Sequence, residues 1–165
     1  MKVIGISGPS GSGKTTLIER LIPTLAQRGL SVSALKHAHQ GFDIDRPGKD
    51  SFRFRAAGAA QVMIASPQRW ALITEVAGSA VPLHQLLEKL APCDLVLVEG
   101  FRSERSIPRI EIRGRHPDDP PAASDDPGLI ALVCDDPVER PLPRFARNDV
   151  AAIATFILQR LGLER

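Results

Sequence analysis

The sequence predicts an α/β fold built on a largely parallel sheet. Two patterns carry this expectation. Short apolar runs of strand length alternate with amphipathic helical stretches, and a glycine-rich turn joins the first run to the first helix. At 165 residues the chain has the length of one domain, expected over residues 1–165.

The elements follow in order. Residues 2–7 form a short apolar run that stops at the glycine-rich turn, as a buried strand does. A helix is predicted over 14–28, where Leu17, Ile18, Leu21, Ile22 and Leu25 fall on one face. Pro23 predicts a kink or an early end within it, and Gly29 a stop. Residues 31–36 read as a second strand, 50–57 as a short helix, and 61–65 and 69–76 as strands. Pro82 opens a helix carrying Leu83, Leu86, Leu87 and Leu90. The run 94–98 is the clearest buried strand of the chain. Residues 107–113 mix charged and apolar side chains and predict a half-exposed strand at an edge. The segment 117–143 holds seven of the fourteen prolines and reads as loop around one short strand at 129–134. Asn148 then caps a last helix that runs through Leu161 and ends at Gly162.

Composition excludes several classes. Hydrophobic residues make up 43% and charged residues 24%, which rules out wholesale disorder. The net charge of +2 is too little to argue by itself for nucleic acid or an anionic membrane. The longest nearly apolar run, 150–158, is interrupted by Thr155 and is far short of the ~20 residues of a membrane span. Glycines and a proline stand where a signal peptide needs a continuous apolar core. Cys93 and Cys134 are far apart, in no CxxC arrangement, and read as two buried thiols rather than a disulfide. The expectation is a cytoplasmic protein with no nucleic-acid or membrane partner.

The decisive segment is Gly8-Pro9-Ser10-Gly11-Ser12-Gly13-Lys14-Thr15, a complete G-x-x-x-x-G-K-[ST] match followed by Thr16. Small residues let backbone N–H groups turn inward around a polyphosphate, and the helix that follows adds its positive end. Lys14 is a charge of the right reach for the β- and γ-phosphates, and Thr15 offers a hydroxyl to Mg²⁺. With strand before and helix after, the segment predicts a P-loop NTPase-type three-layer fold: a mostly parallel central sheet and an additional edge strand or hairpin.

The metal needs a further acid at the carboxyl end of a neighbouring strand. Glu99 ends the run 94–98 at that end, whereas Asp94 starts it and reads as a strand-end cap or surface charge. Gly100 lets the backbone approach the γ-phosphate. The second strand leads into His37 and His39 and then Asp43 and Asp45, on a loop leaving the same end of the sheet. Beside a phosphate loop these groups suit Mg²⁺ or its waters better than zinc, since no cysteine joins them; a solvated loop is the bland alternative. Arg53 and Arg55 follow, as phosphate contacts or a solvated face. No N-K-x-D element reads guanine, so the residues alone leave the base open.

Four segments, GPSGSGKTTLIERLIP, LKHAHQGFDIDRPGKDSFRFRAAGA, IASPQRWALITE and DLVLVEGFR, resemble the MobB family of molybdopterin-guanine dinucleotide biosynthesis adapter proteins. The similarity runs over residues 2–102 and more loosely to the final helix. The FDID-x-PGKDS and QRWALITE blocks are its most specific parts. The resemblance implies a GTP-binding, Mg²⁺-dependent homodimer of weak GTPase activity. It also implies a partner, the guanylyltransferase MobA, which joins GMP from GTP to molybdopterin. Carried over by motif, the phosphate contacts fall on Gly11 to Thr16 and the magnesium acids on Glu99 and Asp45. Molybdopterin or its guanine dinucleotide is a further candidate ligand. Arg69, Trp70 and Thr74 lie in a family block without a chemical role legible from the residues; a packed strand is the simpler reading, with Trp70 in a core or an interface.

The competing function is a small-molecule kinase, with Arg102, Arg105, Arg109, Arg113 and Arg115 as candidates for a phosphate-covering lid. Arg109 and Arg113 fall on a strand-like run, which suits an edge or dimer strand better. No catalytic base is identifiable.

Overall fold

A computed structural model of the chain describes residues 1–38, 41–78, 80–113, 126–135 and 141–164. The elements are β1 (Lys2–Ser7), α1 (Lys14–Ala26), β2 (Val32–Lys36), α2 (Asp50–Ala56), β3 (Gln61–Ala65) and β4 (Trp70–Thr74). After them come α3 (Leu83–Leu87), β5 (Leu95–Glu99), β6 (Arg109–Ile112), β7 (Leu129–Val133), β8 (Arg144–Phe145) and α4 (Val150–Leu161). They fall into two compact units, Met1–His37 with Leu90–Arg165, and Ala38–Lys89.

The first unit carries the expected parallel sheet, in the order β2-β5-β1-β6-β7-β8. Every adjacent pair is parallel, and β1 is flanked by β5 and β6. Ile4, Ile6, Leu95, Leu97, Ile110 and Ile112 alternate onto one face, where Leu17, Leu21 and Leu25 of α1 and Ile153 and Ile157 of α4 bury them. Val96 and Val98 on the opposite face are fully buried too, so β5 is apolar on both sides as a central parallel strand must be.

Pro23 does not end α1, which runs three residues further to Ala26. Pro23 and Glu19 are exposed, so the carbonyl that loses its helical donor is open to water. Leu21 and Leu25, fully buried on either side, hold the turn together. The cap of α4 is also one residue later than predicted: the Asp149 carboxylate, not Asn148, accepts from the Ala152 N–H at 3.1 Å. Gly162 ends α4 in the left-handed conformation as expected.

The largest correction is β6. It is an interior strand between β1 and β7, and all four of its residues are buried. Arg109 is only 1% exposed, so it is removed from any lid or edge. It stands opposite Gly5 in register, and its methylenes cross the space a side chain would fill: a Cβ on Gly5 would lie 2.7 Å from Arg109 Cγ. An ion pair to Asp126 partners the guanidinium, and desolvation holds it below its ordinary range.

The second unit holds α2, the short α3 and the antiparallel β3–β4 hairpin. Val62 packs in its interior, while Met63, Trp70 and Leu72 stand exposed. Trp70 is 66% exposed, which overturns its reading as a core residue. Arg55 organises the rest of this unit. It donates to Asp45 (2.7 Å), Asp43 (2.9 Å) and Glu75 (2.7 Å). Cys134 is buried, which pushes its thiol up; Cys93 is only half-buried, with Sγ 3.6 Å from Met1 Sδ, and both are free thiols.

Candidate functional site

The glycine-rich turn leaves the carboxyl end of β1, where the strand order reverses between β5 and β6. Gly8, Gly11 and Gly13 take φ of 142°, 74° and 100°, conformations that turn successive N–H groups toward one centre. Ser10 is exposed at the tip. Ser12 is buried, and its hydroxyl has no hydrogen-bond partner among the described residues. Pro9 and Gly8 present their carbonyls to Lys14, whose Nζ donates to them at 2.6 and 2.9 Å. That ammonium lies below its ordinary range, first through burial and then through nearby Lys36, with Glu99 opposing. A desolvated cation held over a cradle of N–H groups fits a polyphosphate.

Glu99 is where strand polarity placed it. It is buried at the end of β5, and β5 pairs with β1 in parallel so that Ile6 faces Glu99. The Thr15 hydroxyl donates to Glu99 Oε2 at 3.0 Å, and Lys36 Nζ lies 3.4 Å from Oε1. A hydroxyl and a carboxylate side by side are the hard oxygen donors Mg²⁺ prefers. Thr16, on the first turn of α1, is exposed beside them. Asp94, at the other end of β5, caps Ser31 by accepting from its N–H and hydroxyl at 2.8 and 2.7 Å.

Gly100 (φ 91°) is required by a close approach: a Cβ there would lie 3.0 Å from His37 Cβ. Phe101 follows with φ 49°, strained for a residue with a Cβ, and its ring packs on His37 at 4.5 Å between centroids. His37 is thereby fixed beside the ends of β2 and β5. Asp45 belongs to the second unit, where Arg55 takes both its oxygens at 2.7 and 3.3 Å and holds its carboxyl below the usual range. His39 and Arg115 lie outside the described residues. No group of three or more His, Cys, Asp or Glu side chains gathers for a metal among the described residues.

Sequence reasoning missed three contributors. Lys36 pairs with Glu99, Phe101 backs His37, and Arg147 reaches the phosphate loop from the far end of the chain. The Arg147 Nη1 donates to the Ser12 carbonyl at 2.6 Å, its Nη2 to the Arg113 carbonyl, and its Nε lies 3.3 Å from Asp135. No local pattern marks Arg147; only its nearness in the fold reveals it.

A glycine cradle at the switch point of a parallel sheet, with a Lys-Thr pair opening the helix behind it, defines the class of P-loop proteins. Within that class the chain belongs to the MobB family. The family model "Molybdopterin guanine dinucleotide synthesis protein B" matches residues 3–135. The molybdopterin-guanine dinucleotide biosynthesis adapter protein of Escherichia coli K12 is 39% identical over 153 residues, 91% of this chain and 87% of its own length. The adapter protein of the same name from Haemophilus influenzae is 41% identical over 157 residues, 94% of this chain and 86% of its own. Among solved structures, a crystal structure of molybdopterin-guanine biosynthesis protein B superposes with a TM-score of 0.75 at 34% identity, covering 96% of this chain and 99% of that one. Bacillus subtilis MobB superposes with a TM-score of 0.71 at 25% identity, covering 98% of each chain. No helix among the described residues is long and apolar enough to cross a membrane.

Proposed function

We propose that this chain is a GTP-binding adapter of molybdopterin-guanine dinucleotide biosynthesis, acting in the cytoplasm with the guanylyltransferase MobA. The observation that carries the reading is the Lys14–Thr15–Glu99 constellation on the glycine cradle, in a chain of this family. Residues 8–16 hold the triphosphate through backbone N–H groups, and Gly100 allows close approach at the γ end. Lys14 moves from the carbonyls of Gly8 and Pro9 onto the β- and γ-phosphates. Thr15 and Glu99 would hold Mg²⁺. The metal supplies charge neutralisation between the phosphates.

Hydrolysis is expected to be slow. A cradle binds ground state and transition state alike, and acceleration needs groups that act on the transition state alone. His37 packs against Phe101 with the two ring planes 36° apart, and a ring so held suits a positioning role for a phosphate or pterin better than proton transfer. A homodimer is supported by the exposed hairpin face: Met63 faces Leu72 and Ala65 faces Trp70, an apolar strip that a second copy would cover. Molybdopterin or its guanine dinucleotide is the second ligand class, received by the adapter–guanylyltransferase pair.

The test is product analysis with γ-labelled GTP, with and without guanylyltransferase and molybdopterin, beside a pull-down and sedimentation equilibrium. Slow release of labelled phosphate by a dimer that captures the guanylyltransferase is expected. Label on a small-molecule acceptor without the partner would replace this reading with the kinase.

A further inference from the structure

Both oxygens of Glu99 have partners. Oε2 accepts from the Thr15 hydroxyl at 3.0 Å, and Oε1 faces Lys36 Nζ at 3.4 Å. Thr15 and Glu99 are the hard oxygen donors that suit Mg²⁺. A divalent cation that leaves the Thr15–Glu99 bond intact reaches the carboxylate through Oε1, the oxygen beside Lys36.

The two members of this ion pair differ in freedom. β2 and β5 are parallel neighbours, and Lys36 stands opposite Glu99 in register, so the backbone sets both residues at the carboxyl end of the sheet. The carboxylate is fixed, with only 12% of its side chain exposed and Thr15 bonded to it. The Lys36 side chain is 64% exposed, and Glu99 is its only ion-pair partner among the described residues. A flexible, exposed ammonium of this kind makes a weak pair and reorients readily.

A buried carboxylate without a cation is costly, so Lys36 does Glu99 the service of a counter-charge. It cannot share Oε1 with a divalent cation, because like charges at that separation repel. A metal on Glu99 therefore frees the ammonium. Lys14, held over the cradle by the Gly8 and Pro9 carbonyls, is the cation of the β- and γ-phosphates. The anion nearest the freed Lys36 is then the terminal phosphate, at the Glu99–Gly100 end of the cradle.

This inference rests on the reading that residues 8–16 hold a nucleoside triphosphate with Mg²⁺. We propose that Lys36 tells a triphosphate from a diphosphate: it neutralises Glu99 until the metal–nucleotide complex binds, then turns onto the terminal phosphate. A diphosphate gives the freed ammonium no phosphate at that end, so Lys36 and the metal compete for Glu99 instead. Affinity for the triphosphate is thereby raised over the diphosphate only when metal is present.

The experiment measures GTP and GDP affinity by calorimetry, in excess Mg²⁺ and in a chelator, for the full chain and its Lys36→Met and Lys36→Arg variants. Methionine keeps an apolar stem and removes the charge, and circular dichroism checks that the variants fold. In Mg²⁺, Lys36→Met should lower the ratio of GTP to GDP affinity about tenfold or more, the loss of one charged phosphate contact. Lys36→Arg should restore most of that ratio. In chelator, Lys36→Met should change the ratio by about twofold or less, because the wild-type ammonium then stays on Glu99. An unchanged ratio in Mg²⁺ overturns the proposal and leaves Lys36–Glu99 an ordinary surface pair beside an intact phosphate loop. An equal fall of the ratio with and without metal also overturns it, since Lys36 would then act as a fixed charge. A wild type that binds neither nucleotide removes the phosphate-loop reading, and this one with it.

Discussion

Two glycines of the same loop should respond differently to one methyl group. Gly8 has φ 142°, and a Cβ there would overlap the Ile112 carbonyl and lie 2.8 Å from the Ser12 hydroxyl oxygen. Gly11 has φ 74°, and a Cβ there would meet nothing within 4 Å. Gly11→Ala therefore incurs only the left-handed backbone cost, about 1–2 kcal/mol. Gly8→Ala adds overpacking against a backbone carbonyl of an interior strand, which cannot swing aside, for about 1–3 kcal/mol more. In a chain of this size that excess corresponds to about 2–12 °C in Tm. Triphosphate affinity should follow the same order, because relief at Gly8 displaces the first turn of the cradle and the Ser12 hydroxyl with it. Thermal unfolding of both variants, with GTP titration of each at a temperature where both are folded, reads the two effects. Equal Tm losses would refute the reasoning, for they would mean that the contact with Ile112 relaxes without cost.

Lys14→Ala should cut triphosphate affinity about ten- to a hundredfold while leaving the unfolding transition close to wild type, as titration calorimetry and circular dichroism would show. Glu99→Gln should weaken the Mg²⁺ dependence of binding, read by titrating the metal at fixed GTP, whereas Asp94→Asn should leave it unchanged and only loosen the Ser31 cap. The Asp45–Arg55 pair has a pH signature: Asp45 is held below its ordinary range, so its contribution is full above pH ~4 and is lost as pH falls through the depressed value. Tm measured against pH should therefore fall more steeply in acid for wild type than for Asp45→Asn.

Much of the site was legible because its chemistry is local. Eight consecutive residues make the cradle, and the polarity of one apolar run was enough to choose Glu99 over Asp94, which now sit at opposite ends of β5. Asp45 shows the limit of that reasoning. Its neighbour in the loop, Asp43, and Arg55 on α2 were each visible as charges, but the sequence does not tell which cation an acid will take. The FDID segment turned out to alternate about Arg55: Asp43 and Asp45 face it, while Phe42 and Ile44 stand exposed. Arg147 was illegible for the complementary reason. It is remote in sequence from the loop it braces, and arginines elsewhere in the chain carry the same local pattern.

The misreading of β6 has one physical cause. Charged residues on a short strand ordinarily mean a wet face, because an unpaired buried charge is too costly to keep. Arg109 escapes that rule through two residues outside its own strand. Gly5 on β1 leaves room for the arginine's methylenes, and Asp126, just before β7, supplies the counter-charge. Each looks unremarkable alone: a glycine in a strand suggests weakness, and an aspartate among prolines suggests loop. Together they let a cation sit beneath the first strand of the phosphate site, on the face opposite Ile4 and Ile6. A side chain at Gly5 and a neutral residue at Asp126 would therefore disturb the same strand. Losing Asp126 is the worse of the two, since it strands the charge rather than crowding it.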